Sequence, residues 1–143
     1  MIKSNGRPEE CQTAINLTEY WRRDNNGSYL KPDGAYHCDL QDMINDYAER
    51  PWFRFTGYAG KMMLHSCPPY YSCGTRGGLW SNEAMPSEIG EVMATNAFGS
   101  WGGTCKNLWV PILVMRCSDD FLYDFIYKLN VSSVSCPYSF CGM

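Results

Sequence analysis

Three observations predict a mainly β domain with short helices, α+β in class, small, extracellular and rich in disulfides. Eight cysteines, Cys11, Cys38, Cys67, Cys73, Cys105, Cys117, Cys136 and Cys141, run along the 143 residues. Their count is even and no C-x-x-C pair occurs, which favours bridged thiols over a zinc or redox site. Short aromatic and β-branched runs alternate with Gly, Pro, Asn and Asp turn signals. Hydrophobic residues make up 45% of the chain, enough to bury one core.

The elements follow in chain order. Residues 1–10 are polar and are expected to form a flexible N-terminal segment ahead of a single domain over 11–143. Between Thr13 and Arg23, Leu17, Tyr20 and Trp21 share a helical face. Asp24-Asn25-Asn26-Gly27 and Lys31-Pro32-Asp33-Gly34 read as turns. Trp52-Phe53-Arg54-Phe55-Thr56 reads as a strand that Gly57 and Gly60 end. Pro68-Pro69-Tyr70-Tyr71-Ser72 is an extended loop between two cysteines, and Gly74-Thr75-Arg76-Gly77-Gly78 turns the chain into Leu79-Trp80. Val92-Met93-Ala94 is a short strand, and the glycines around Trp101 suggest backbone packed closely on an indole. Trp109–Met115 is the clearest core strand, with Pro111 placing it at an edge or bulge. Phe121–Leu129 carries aromatics at every second position and reads as a half-buried strand. Trp21, Trp52 and Trp109 lie in apolar patterns and read as core.

The function classes narrow by exclusion. A net charge of −3 argues against nucleic acid and against an anionic membrane surface. No apolar run approaches the ~20 residues of a membrane span. No activated nucleophile, G-x-S-x-G, P-loop, dinucleotide glycine pattern or H-E-x-x-H is present, so neither an enzyme nor an organic cofactor is expected. Three sequons, at Asn16, Asn26 and Asn130, fit a secreted glycoprotein.

The order of cysteines and aromatics resembles a known family. The matching pieces are Glu19-Tyr20-Trp21-Arg22, Cys38-Asp39, Trp52-Phe53-Arg54-Phe55, Gly57, Ala59-Gly60 and Cys67-Pro68. They continue through Cys73-Gly74-Thr75, Leu79-Trp80, Trp101, Cys105, Trp109, Cys117, Cys136 and Phe140-Cys141. From Cys11 to Gly142 the chain is similar to the eight-cysteine extracellular domain of the uromodulin and pancreatic zymogen-granule glycoprotein group of zona-pellucida proteins. Spacing alone leaves roughly a hundred pairings open. The resemblance implies Cys11–Cys117, Cys38–Cys136, Cys67–Cys105 and Cys73–Cys141. It further implies that a bridge found in many members is absent here, its two positions falling at Ala97 and Lys106.

Against that pattern, an insertion at about residues 30–51 wraps around Cys38. Asp39, Asp42, Asn45, Asp46 and Glu49 supply the oxygen donors that calcium takes in sets of about 6–8. Asp39, Asp42 and Asp46, at i, i+3 and i+7, would share a helix face. The same residues also fit a solvated acidic helix, and both readings stay open. Asp119, Asp120 and Asp124 form a second acidic group. Aromatic rings stack on the apolar faces of sugars, and Asp33, Tyr36, Tyr70, Tyr71 and Trp80 are the candidate glycan contacts. The expectation is a secreted lectin-like protein that binds glycans or glycoproteins, with calcium as candidate cofactor and a homodimer to supply two sites. The alternative is an extracellular structural or adhesion module that binds protein partners.

Overall fold

A computed structural model describes residues 8–23, 35–47, 49–101, 103–129 and 136–143. One short helical turn, α1 (Glu10–Thr13), precedes strand β1 (Ile15–Leu17) and a 3-10 turn at Tyr20–Arg23. Helix α2 (Asp39–Asp46) leads to β2 (Phe53–Phe55), a second 3-10 turn (Gly57–Ala59) and β3 (Gly77–Trp80). The long pair β4 (Val92–Trp101) and β5 (Thr104–Arg116) is followed by β6 (Phe121–Asp124) and β7 (Tyr138–Phe140). The seven strands form one sheet in the order β1-β2-β6-β5-β4-β3-β7. Its two outer pairs, β1 with β2 and β3 with β7, are parallel, and the pairs between them are antiparallel. The fold is therefore mainly β with two short helices, as the sequence predicts.

Sheet side chains build the core. Val110, Ile112 and Val114 of β5 join Phe53 and Phe55 of β2, Tyr123 of β6 and Phe140 of β7 in one buried cluster. Phe125 stacks on Phe140 at 3.7 Å between ring centroids and on Tyr123 at 5.4 Å. The Tyr123 hydroxyl accepts the Met63 N–H at 3.1 Å, and burial pushes its pKa up, so the phenol stays neutral. Helix α2 adds Leu40 and Met43 to the cluster with Ile44 and Tyr47 packed against it, an i, i+3, i+4, i+7 stripe. Asp39 and Asp42 in its first turn suit the positive end of the helix.

All four bridges form as the resemblance implies: Cys11–Cys117, Cys38–Cys136, Cys67–Cys105 and Cys73–Cys141. Three of them span 106, 98 and 68 residues. In the chain-entropy account each such loop restricts the unfolded chain by about 4 kcal/mol. The two positions assigned to the lost bridge are not partners, however. Ala97 faces the core opposite Val110, whereas the Lys106 ammonium lies 4.2 Å from the ring centroid of Phe98, the next residue on the opposite face of β4.

Several local expectations are corrected by the tertiary pairing. The helical face over Thr13–Arg23 does not form, because Ile15 and Leu17 pair with Phe53 and Phe55 at the sheet edge. Glu10 already belongs to α1, and the Cys11 N–H bonds the Pro8 carbonyl, so the ordered chain starts before Cys11. The Phe121–Leu129 strand stops at Asp124, whose Oδ1 accepts the Ile126 N–H and turns the chain. Trp109 is 60% exposed: Val110, Ile112 and Val114 face inward, so alternation sends Trp109 outward, edge-on to Phe98.

Pro111 sits opposite Asn96, whose N–H and carbonyl are taken by Glu83 and Ser81 away from β5. The two residues are thus a non-hydrogen-bonded pair, and the missing N–H of Pro111 faces the other side of β5. There β6 begins to pair only at Leu113, so no ladder bond is lost.

One polar contact ties the first third of the chain to its end. Arg22, 3% exposed, donates from Nη1 to Asp39 Oδ2 at 2.5 Å and from Nη2 to Oδ1 at 3.1 Å. Its Nε reaches Glu19 at 2.8 Å, and Nη1 also reaches the Phe140 carbonyl. Asp39 Oδ2 in turn accepts the Phe140 N–H at 2.8 Å. Burial pulls the Arg22 pKa down, but Asp39 and Glu19 more than offset it and the net shift is upward. Removing either partner strands a buried charge. Asp39→Ala or Arg22→Met is expected to cost about 3–5 kcal/mol in denaturant unfolding of the oxidised protein. Arg22→Met combined with Asp39→Leu should cost clearly less than the two single changes added together.

A second expectation concerns acid. Glu83 accepts hydrogen bonds from the Thr95 hydroxyl and the Asn96 N–H, which lower its pKa below the ordinary glutamate value. A depressed folded-state pKa gives stability that is present above the unfolded pKa and lost as pH falls through the folded one. Melting temperatures measured between about pH 6 and pH 3 should therefore fall less steeply in Glu83→Gln than in the parent.

Candidate functional site

Beside the start of β3, the chain from Pro68 to Arg76 forms a compact loop fixed at several points. Cys67 and Cys73 anchor it through bridges to Cys105 and Cys141. Ser72 Oγ donates to the Pro69 carbonyl at 2.6 Å, and the Tyr71 N–H bonds the Arg76 carbonyl at 3.2 Å. Tyr71 and Cys73 both hold positive φ, at 65° and 60°. That backbone is sparsely populated for residues with a Cβ and persists where the surroundings over-determine it. Its effect here is to set the Tyr70 and Tyr71 rings side by side, 4.2 Å apart.

Two other segments complete the surface. The His37 N–H bonds the Gly74 carbonyl at 2.9 Å, which brings Tyr36 to within 6.0 Å of Tyr71. At the end of β4, Trp101 lies 5.8 Å from Tyr70 and 5.3 Å from Tyr138. Tyr138 lies flat against the sheet because Gly77 and Gly99 leave room for it. A Cβ at either glycine would come within 2.5 Å of the ring. Among these rings sits the Arg76 guanidinium, 4.7 Å from the Trp101 centroid and 5.5, 5.6 and 6.0 Å from Tyr70, Tyr71 and Tyr36. Its Nε and Nη2 both donate to the Tyr70 hydroxyl. Tyr71 is 39% exposed, and Tyr36, Tyr70, Arg76 and Trp101 are partly exposed. The patch is an open platform of four aromatic rings with one cation in it.

Three of the five candidate glycan contacts, Tyr36, Tyr70 and Tyr71, therefore come together. Trp80 does not join them: it is not in a loop but in β3, 4% exposed, with Nε1 donating to the Cys105 carbonyl at 2.9 Å. Asp33 lies outside the described residues, as do the sequons at Asn26 and Asn130. Asn16 is exposed on β1, opposite Arg54 in register. Arg76 and Trp101 are the members that sequence reasoning missed. Arg76 stood among four small residues that read only as a turn, and Trp101 among glycines that read as packing.

The acidic helix is differently disposed. Asp39 is removed from the calcium set because Arg22 and the Phe140 N–H occupy both of its carboxylate oxygens. Asp42, Asn45, Asp46 and Glu49 are exposed. Asp42 faces a cleft of about 270 Å³ shared with Glu19, Trp21 and His37, where Trp21 and His37 stack at 3.7 Å. In the second acidic group, Asp120 pairs with Arg54 and Asp124 with Arg50, while Asp119 is exposed. Among the described residues no three His, Cys, Asp or Glu side chains lie close enough to hold a metal ion. Nor is any helix there long and apolar enough to cross a membrane.

Comparison with known proteins agrees with this architecture. The chain is 29% identical over 133 residues to uromodulin of Mus musculus and to uromodulin of Rattus norvegicus, which is 93% of this chain and 18% of each relative. It thus spans less than a fifth of the length of these curated relatives. The family model for the uromodulin-like eight-cysteine domain matches residues 53–142, from β2 through the last bridge and so well over half of the chain. With that match, the chain belongs to the uromodulin-like eight-cysteine domain family.

Proposed function

We propose that this domain is a secreted, non-enzymatic binding module that recognises carbohydrate on the platform of Tyr36, Tyr70, Tyr71 and Trp101. The observation that carries this reading is the assembly of four partly exposed rings from three separate segments, held by two disulfides and a positive-φ turn. Rings on a rigid frame give contact area at low entropic cost, and sugars present apolar faces that suit them. All eight cysteines are bridged, which leaves no thiol nucleophile and suits an oxidising, extracellular setting.

Calcium is not needed for a sugar to stack on these rings, and Asp39 is already committed to Arg22. Cell agglutination by such a module requires at least two sites, and a homodimer would provide them. A second reading, an adhesion module for protein partners, is favoured by Trp109, which presents most of an indole to solvent on the long β4–β5 ribbon.

A glycan array of the disulfide-intact chain, run with and without chelator, tests the first reading. Binding should survive chelation, and Tyr71→Ala should weaken it by about 3- to 10-fold. Trp109→Ala should leave it unchanged. An array with no signal in either condition would remove carbohydrate as the ligand. Signal lost on chelation would return Asp42, Asn45, Asp46 and Glu49 to the site.

A further inference from the structure

The platform carries a charge that the described residues do not neutralise. Arg22, Arg50 and Arg54 each hold a carboxylate, from Asp39, Asp124 and Asp120. Arg76 holds none among the described residues, in a chain with 15 acidic and 12 basic side chains. The four surrounding rings attract the cation through their faces but supply no counter-charge. Aromatic stacking of a neutral sugar does not call for a guanidinium at this position.

The geometry of the guanidinium defines what is left to bind. Nε and Nη2 point together at the Tyr70 hydroxyl, so that edge is spent. The end-on edge, Nη1 with the second hydrogen of Nη2, has no partner among the described residues. A planar pair of N–H groups is the shape that takes two oxygens of one carboxylate or sulfate. Tyr71, the most exposed ring of the platform, has its centroid 5.6 Å from the guanidinium carbon. A sugar ring resting on Tyr71 would place an attached acidic group within reach of that edge.

We propose that the domain selects acidic saccharides, with Arg76 gripping a carboxylate or sulfate of a sugar that stacks on Tyr70 and Tyr71. This rests on the carbohydrate reading above and specifies its ligand class. With a net charge of −3, the domain does not attract anions as a whole. The preference is local, arises at contact, and is weakened by salt.

Matched ligand pairs test the proposal by calorimetry on the oxidised parent chain: sialyllactose against lactose, and sulfated against unsulfated chondroitin oligosaccharide. In at least one pair the acidic member should bind about 10- to 100-fold more tightly. The pair that responds identifies carboxylate or sulfate as the group held. Arg76→Gln should abolish the preference while retaining the weaker binding of the neutral member, and Arg76→Lys should keep only part of it. Equal affinity within both pairs overturns the acidic preference and leaves carbohydrate binding standing. An undiminished preference in Arg76→Gln overturns the role of Arg76. If the array and both pairs give no binding, the two readings fall together. Should Arg76→Gln not fold, the parent comparison and its loss of preference at high salt still decide the matter.

Discussion

The buried ion pair of Arg22 and Asp39 is the contact through which distant parts of the chain are positioned. It joins the 3-10 turn after β1 to the first residue of α2, and both to the backbone of Phe140 in β7. Cys38, the residue before Asp39, is bridged to Cys136, two residues before β7 begins. The charge pair and the disulfide thus act on the same junction, one through electrostatics and one through connectivity. Two charges at such low exposure are tolerable because each remaining polar position is met, by Glu19, the Phe140 carbonyl and the Phe140 N–H.

From that junction the placement of the aromatic platform follows. With α2 held at β7, the residues just before it run past the Pro68–Arg76 loop, and His37 bonds Gly74. Tyr36 thereby comes to face Tyr71 across a gap that the sequence spans with 34 intervening residues. On the other side, β7 carries Tyr138 under Trp101, seated on two glycines of neighbouring strands. The platform is thus built on the parallel β3–β7 pair, and its rigidity derives from the sheet rather than from the loop alone.

The acidic helix illustrates how a local pattern can mislead. Asp39, Asp42 and Asp46 do fall on one helix with the spacing that shared ligation would require. The first of them, though, turns into the protein to meet a cation 17 positions earlier in the chain, and the others stay in solvent. A sequence lists acceptors without saying which donor has already claimed them. Arg76 is the converse case, a cation in an unremarked turn that four rings from three segments surround.

Much of the fold was legible from residues alone, because its signals are local. The strands around Phe53 and Ile112 announce themselves by composition, helix α2 by its apolar stripe, and the oxidised state by an even count of dispersed cysteines. The bridge partners needed the family resemblance, since spacing does not encode which thiols meet. Tertiary structure alone decided the rest. Whether Leu17 belongs to a helix or a strand depended on Phe55 lying opposite, and whether Trp109 is core or surface depended on which face of β5 the sheet covered. The members of the candidate site were fixed in the same way. Proximity in the folded chain is a property of long-range pairing, and no local pattern around Arg76 or Trp101 carries that information.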